Sequence, residues 1–310
     1  MMCAGRTHNK GFTLVEMVVT VIVAAIISVG IVSYIGDSVE GFAASNNRSR
    51  LASSGRTVID RIALELHNAV PNSVRLSALQ GNGDQCLEMM PFLGATTYFN
   101  PSFTGTGNTQ FEVVNFNPAL DLEDVENAYA VIYPINTAAL YAGTASPGPI
   151  AKVERVRSTY DDTLTPDACA AEPFAGVSLD EGKSTLCLAD GNDVDTDPDP
   201  HRFALRSPVD RLYFATSPVS FCVVGQRLYR YQNYGLRSTQ CTPSTPSCLP
   251  QTAAAGRHLI TNRLDNAGLQ AFTLLPQSLR RNAIVNFDLK FTDQGDVVEL
   301  KHEIQMRNVP

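Results

Sequence analysis

Between Phe12 and Ile35 the chain has 24 residues and a single charge, Glu16. A carboxylate inside an apolar membrane segment costs on the order of 2.5–3.5 kcal/mol and normally has a partner. Just before this run stands Gly11, preceded by a basic segment that holds Arg6, His8 and Lys10 and no acid. An ordinary secretory signal has an apolar region of about 7–15 residues with a small-residue cleavage site after it. Here the apolar run is longer and the small residue precedes it. Cleavage after Gly11 would therefore remove the basic leader and keep the apolar segment.

Five other residue sets invite a chemical reading. Cys3 lies in the leader; without it six cysteines remain, Cys86, Cys169, Cys187, Cys222, Cys241 and Cys248. In an oxidising compartment they read as up to three disulfides, with about 15 connectivities open. Closing the short Pro-rich loop pairs Cys241 with Cys248. Closing the acidic loop pairs Cys169 with Cys187 and leaves Cys86 with Cys222. Zinc is disfavoured because no CxxC or neighbouring histidine accompanies them. Asp193, Asp195 and Asp197 have the one-three-five spacing of a calcium loop, and calcium requires such hard oxygen ligands. However, Pro198 stands where the loop needs glycine and Ala204 where it needs a bidentate glutamate, so the pattern is no EF-hand. Calcium, a solvated acidic loop, and a loop that pairs with a basic patch on a neighbouring subunit remain the readings, and no other cofactor is expected. Gly182-Lys183-Ser184-Thr185 resembles the end of a phosphate loop, yet position 177 is valine where glycine is required. His67, His201, His258 and His302 are scattered, and no GxSxG or HExxH occurs, so no enzyme is expected. Tyr229, Tyr231 and Tyr234 suggest either a sugar-contacting platform or one packed face of a strand.

These residues need elements to hold them. The apolar run is long enough, at about 20 residues, to cross a bilayer core. The basic flank keeps the leader cytoplasmic and sends the remainder outward. Leu51, Gly55, Val58, Ile59, Ile62, Leu66, Ala69 and Val70 continue at spacings of three and four, one face of a helix running from residue 36 to Pro71. Arg56 with Asp60, and Arg61 with Glu65, are candidate i,i+4 ion pairs. Gly30, Gly36, Gly41 and Gly55 are candidate soft points. Beyond Pro71 the period becomes two. Residues 283–292 and 298–307 alternate around Asp293-Gln294-Gly295-Asp296, which predicts an antiparallel hairpin with His302 on its apolar arm. A second hairpin is predicted from Arg211 to Tyr231, turning at Val224-Gly225-Gln226. Phe111–Phe116 and Tyr129–Ile135 read as strands. Ser158–Pro200 and Thr239–Gly256 read as loops, and a division near Pro147 is open. The result is an α+β class: a long helix with a hydrophobic first half and an antiparallel β-domain from 72 to 310 covering its second half.

Composition bounds the rest. The chain has 310 residues, 44% of them hydrophobic and 18% charged, which excludes a disordered chain. Mean hydropathy near zero excludes a multi-span membrane protein. A net charge of −7 excludes nucleic acid as the partner of the whole chain. Losing Arg6 and Lys10 with the leader leaves 22 basic against 31 acidic side chains.

Lys10-Gly11-Phe12-Thr13-Leu14-Val15-Glu16, opening an apolar helix after a basic leader, resembles the type IV prepilin class. The resemblance implies cleavage of leader 1–11 between Gly11 and Phe12 by prepilin peptidase, N-methylation of Phe12, and a type IV pilin-like fold. It implies that the Phe12 amine of one subunit pairs with Glu16 of a neighbour and sets axial register. The implied partners are other pilins and minor pilins through the N-terminal helix, and an inner-membrane assembly platform. The implied location is the inner membrane, single-pass with the C-terminal domain periplasmic, and then the pilus. Patches at Arg56–Arg61, Asn68–Arg75, Ser217–Cys222, Leu228–Tyr231 and Asn308-Val309-Pro310 are similar to the O-type minor pilins of mannose-sensitive haemagglutinin (MSHA) pili. These are related to the J-type pseudopilins of type II secretion. That narrower resemblance implies a role in initiating or capping a pilus, with a tip adhesin or a J-type pseudopilin as alternatives.

Overall fold

The computed structural model describes residue 11 and residues 13–114, 125–158, 182–189, 200–243, 248–275 and 283–306. α1 (Leu14–His67) is unbroken over 54 residues, about 80 Å at about 1.5 Å per residue. The glycines read as soft points do not interrupt it. Every residue from Leu14 to Ala43 is exposed. Burial begins only where the amphipathic spacing does, and it falls on Leu51, Gly55, Val58, Ile59, Ile62 and Leu66. After α1 the chain is held straight away: the Val70 N–H donates to Met90 O at 2.9 Å and the Phe92 N–H to Asn68 O at 2.7 Å.

Among the described residues the β structure forms three units rather than the single sheet expected. A five-stranded antiparallel sheet has the order β1 (Arg75–Leu76), β2 (Gln85–Met89), β9 (Val219–Val224), β10 (Arg227–Tyr231) and β11 (Arg257–Thr261). A three-stranded sheet has the order β12 (Phe272–Leu275), β13 (Ile284–Asp293) and β14 (Asp296–Gln305). The buried stripe of α1 meets residues of both sheets, among them Leu87, Met89, Phe221, Phe287, Leu289 and Phe291, in one core. Contact between α1 and β13–β14 is close enough to require glycine: a Cβ on Gly55 would lie 2.5 Å from Leu300 Cδ1 and 2.8 Å from Phe291 Cε2.

The third unit is a closed six-stranded barrel. Its order is β3 (Phe92–Phe99), β4 (Gln110–Val114), β7 (Lys183–Ala189), β6 (Ile150–Ser158), β5 (Tyr129–Ile132) and β8 (Arg211–Ala215). Phe111, Val113, Ile132, Val153, Leu188, Leu212 and Phe214 fill it. A short helix, α2 (Thr137–Tyr141), is capped by Asn136, whose Oδ1 accepts from the Ala139 N–H at 2.9 Å. All six barrel strands lie in sequence between β2 and β9, which are neighbours in the five-stranded sheet. The barrel is thus an insertion into one strand-to-strand connection.

This topology corrects several sequence expectations. β8 pairs with β3 and β5 rather than with β10, so the hairpin turning at Gly225 contains β9 and β10 alone. β7 lies inside the stretch read as an acidic loop, and its buried Ser184 and Thr185 are ladder residues of the sequence that resembled a phosphate loop. No division falls near Pro147, since Ile132 and Val153 on either side share the barrel core. β5 stops at Ile132, where Tyr133 takes a φ of 44°. His302 is exposed although its alternate neighbour Ile304 is buried.

Candidate functional site

The start of α1 is set by two side chains. Thr13 is the N-cap, and its Oγ1 accepts from the Glu16 N–H at 3.3 Å. The Glu16 carboxylate returns to accept from the Thr13 N–H, also at 3.3 Å. This reciprocal pair satisfies two of the N–H groups that a helix start leaves open, and it sets a negative charge against the positive end of the helix dipole. Sequence reasoning named Glu16 and missed Thr13, though the threonine-x-x-glutamate spacing was there to be read. Gly11 is exposed two residues before the cap; Phe12 and leader residues 1–10 lie outside the described residues.

From this cap, α1 carries Leu14, Val15, Met17 and the apolar residues beyond them as a fully exposed surface to Phe42. It is long and apolar enough to cross a membrane. The β-domain takes hold at Asn47 and Arg48. The Asn47 amide donates to Asp293 O at 3.1 Å and to Asp296 Oδ2 at 3.0 Å, and Arg48 Nε donates to Asp296 Oδ1 at 2.8 Å. The Asn47 hydrogen bond, then Arg48, holds the Asp296 carboxyl below the usual range. The turn between β13 and β14 therefore grips the helix where it joins the domain.

Further along, the expected Arg61–Glu65 ion pair is present and is joined by a third residue. Arg61 pairs with Glu65 at 3.9 Å, and Arg230 Nε donates to the same carboxylate at 2.9 and 3.0 Å. Among the described residues Arg56 has no ion pair with Asp60.

The five-stranded sheet turns its other face to Tyr231, Tyr234, Cys241 and Leu249. Cys86 and Cys222, directly paired across β2 and β9, are disulfide-bonded, and so are Cys241 and Cys248. Cys187 is also disulfide-bonded, while Cys169 lies outside the described residues. Beside the first bond is Glu88, fully buried. Arg75 Nε donates to it at 2.6 Å and the Tyr234 hydroxyl at 3.1 Å. Burial pushes the Glu88 carboxyl up, and the Arg75 hydrogen bond and charge oppose that shift. The remaining Arg75 nitrogens donate to Arg237 O and Ser238 O, both at 2.8 Å, and its guanidinium lies 3.6 Å from the Tyr141 ring centroid.

Among the described residues the other sequence candidates find no common site. Tyr231 and Tyr234 are buried, so the three tyrosines form no exposed platform. His201 is buried against Phe203, its Nε2 3.3 Å from Gly148 O. Among the described residues no three metal-ligating side chains converge. Asp193, Asp195 and Asp197 lie outside the described residues.

No curated protein and no solved structure matches the chain. A family model described as the prokaryotic N-terminal methylation motif matches residues 6–32, which supports a type IV prepilin-like protein anchored by its apolar N-terminal helix.

Proposed function

We propose that the chain is a minor pilin that helps to initiate or cap a type IV pilus of the MSHA kind. The observation that carries this reading is the joining of the methylation motif to a helix with two distinct halves. One half is apolar and bare; the other is locked into a β-domain. In this reading prepilin peptidase cuts between Gly11 and Phe12, and Phe12 is methylated. The Phe12 amine then pairs with Glu16 of a neighbouring subunit in the inner membrane. The β-domain faces the periplasm and later the cell surface. At 299 residues after the leader, the chain is large for a repeating subunit. The inserted barrel supplies much of that bulk, which a terminal position tolerates because no subunit packs above it.

Deletion of the gene tests the role. Loss or a strong reduction of piliation is the expected result. Normal pilus number with impaired attachment would identify a tip adhesin instead. Intact pili with retained exoproteins would identify a J-type pseudopilin.

A further inference from the structure

The amphipathic half of α1 has an outer face that the β-domain leaves uncovered. At 3.6 residues per turn, Arg50, Ser53, Thr57, Asp60, Arg61 and Leu64 fall on the arc opposite Leu51, Val58 and Ile62, with Arg56 at its margin. All seven are exposed. The face is positive on an acidic chain, because the nearby acids are used elsewhere. Asp296 is taken by Arg48, and Glu65 is held most closely by Arg230 at 2.9 Å, with Arg61 at 3.9 Å. Asp60 is the one carboxylate on the arc, and among the described residues neither Arg50 nor Arg56 has an ion-pair partner.

A membrane surface does not fit this face. The apolar run ends at Ile35, so Arg50 lies about 22 Å further along the helix at about 1.5 Å per residue. The headgroup zone reaches only roughly 5–8 Å beyond the hydrocarbon on each side. Asp37 and Glu40, not arginines, occupy that zone. What lies beside the helix at the height of Arg50, if the apolar halves pack together, is the outer domain of a neighbouring subunit.

We infer that Arg50, Arg56 and Arg61 form a docking face for an acidic patch on the ectodomain of an adjacent pilin. The face acts through charge complementarity, which selects partners and orients their approach more than it adds affinity. Ser53 and Thr57 between the arginines leave room for a partner surface to come close. The inference rests on the filament-assembly reading and adds to it a partner of defined charge.

The test is site-specific photocrosslinking from p-benzoylphenylalanine at Ser53 in the full chain in cells, with a second probe at Ile26 in the apolar half. The expected Ser53 product joins an acid-rich segment of another prepilin-like subunit. It should fall at least tenfold in the triple variant Arg50→Glu, Arg56→Glu, Arg61→Glu and persist with lysine at all three positions. Products at Ile26 but none at Ser53, a Ser53 adduct with phospholipid, or a product indifferent to charge reversal would overturn the inference and leave the assembly reading standing. Absence of pilin products at both positions would overturn both.

Discussion

Cys86 and Cys222 face each other on β2 and β9, although 136 residues separate them in sequence and the whole barrel lies between. The disulfide therefore closes the root of the insertion and ties the frame around it.

A bond closing so long a loop stabilises chiefly by restricting the unfolded chain, by about 4–5 kcal/mol in the chain-entropy view. Cys86→Ser with Cys222→Ser is expected to lower stability by that order in detergent-solubilised protein. Denaturant unfolding with and without reductant measures it. Equal midpoints for the oxidised parent and the double variant would refute the assignment.

The ends of the insertion meet: the Thr216 N–H donates to Pro91 O at 3.0 Å. Replacing residues 92–215 with an Asn-Gly turn should leave a frame that still forms the Cys86–Cys222 bond and unfolds cooperatively. Its melting temperature should fall, because Val70 and Met90 lose the barrel-side contacts of Val131 and Tyr213. A product without the disulfide would show that the frame needs the barrel to fold.

Arg75 and Glu88 form a pair with side chains 14% and 0% exposed. Breaking such a pair from one side leaves an uncompensated charge and costs about 3–5 kcal/mol. Arg75→Ala should destabilise by that amount and also free the carbonyls of Arg237 and Ser238. Because Glu88 is shifted upward, its protonation in the folded state becomes easier, and Arg75→Ala should steepen the loss of stability as pH rises above about 4.5.

Burial lowers the His201 pKa below the ordinary 6.5, with its hydrogen bonds to Gly148 and Thr144 opposing. The unfolded chain then takes up this proton first as pH falls. Stability from His201 is fully present above about pH 6.5 and declines below it. His201→Gln should flatten that slope in a pH series of thermal melts; an unchanged slope would assign it to other groups.

Gly55→Leu should separate α1 from β13 and β14, whereas Gly36→Ala should leave stability unchanged or slightly raised, since a Cβ at Gly36 meets nothing within 4 Å. Overpacking of this kind typically costs about 1–3 kcal/mol, and more when rigid neighbours such as Phe291 are involved. Protease sensitivity near residue 47 gives the readout, with the leucine variant cut faster.

What the sequence made legible was what local pattern determines. The buried stripe of α1 followed from its three-and-four spacing, and the last hairpin from strict alternation around Gly295. The barrel was not legible because closure depends on which strands pair across long separations. β8 reads as well beside β9 as beside β3, and nothing local distinguishes them. Glu88 was missed for a related reason: a carboxylate in a short strand looks solvent-facing until the segment around Tyr234 is seen to cover it. At the N-terminus the position of Glu16 was plain, but the pairing with Thr13 that orients it was overlooked.

The cap of α1 has a consequence for the life of the chain. Among the described residues its hydrogen bonds join Thr13, Glu16 and Met17, all downstream of the proposed cut. Precursor and mature forms can therefore share one helix, so maturation need not refold anything. Processing would then change the charge of the terminus while leaving the Thr13–Glu16 cap in place, its carboxylate still set at the head of the helix.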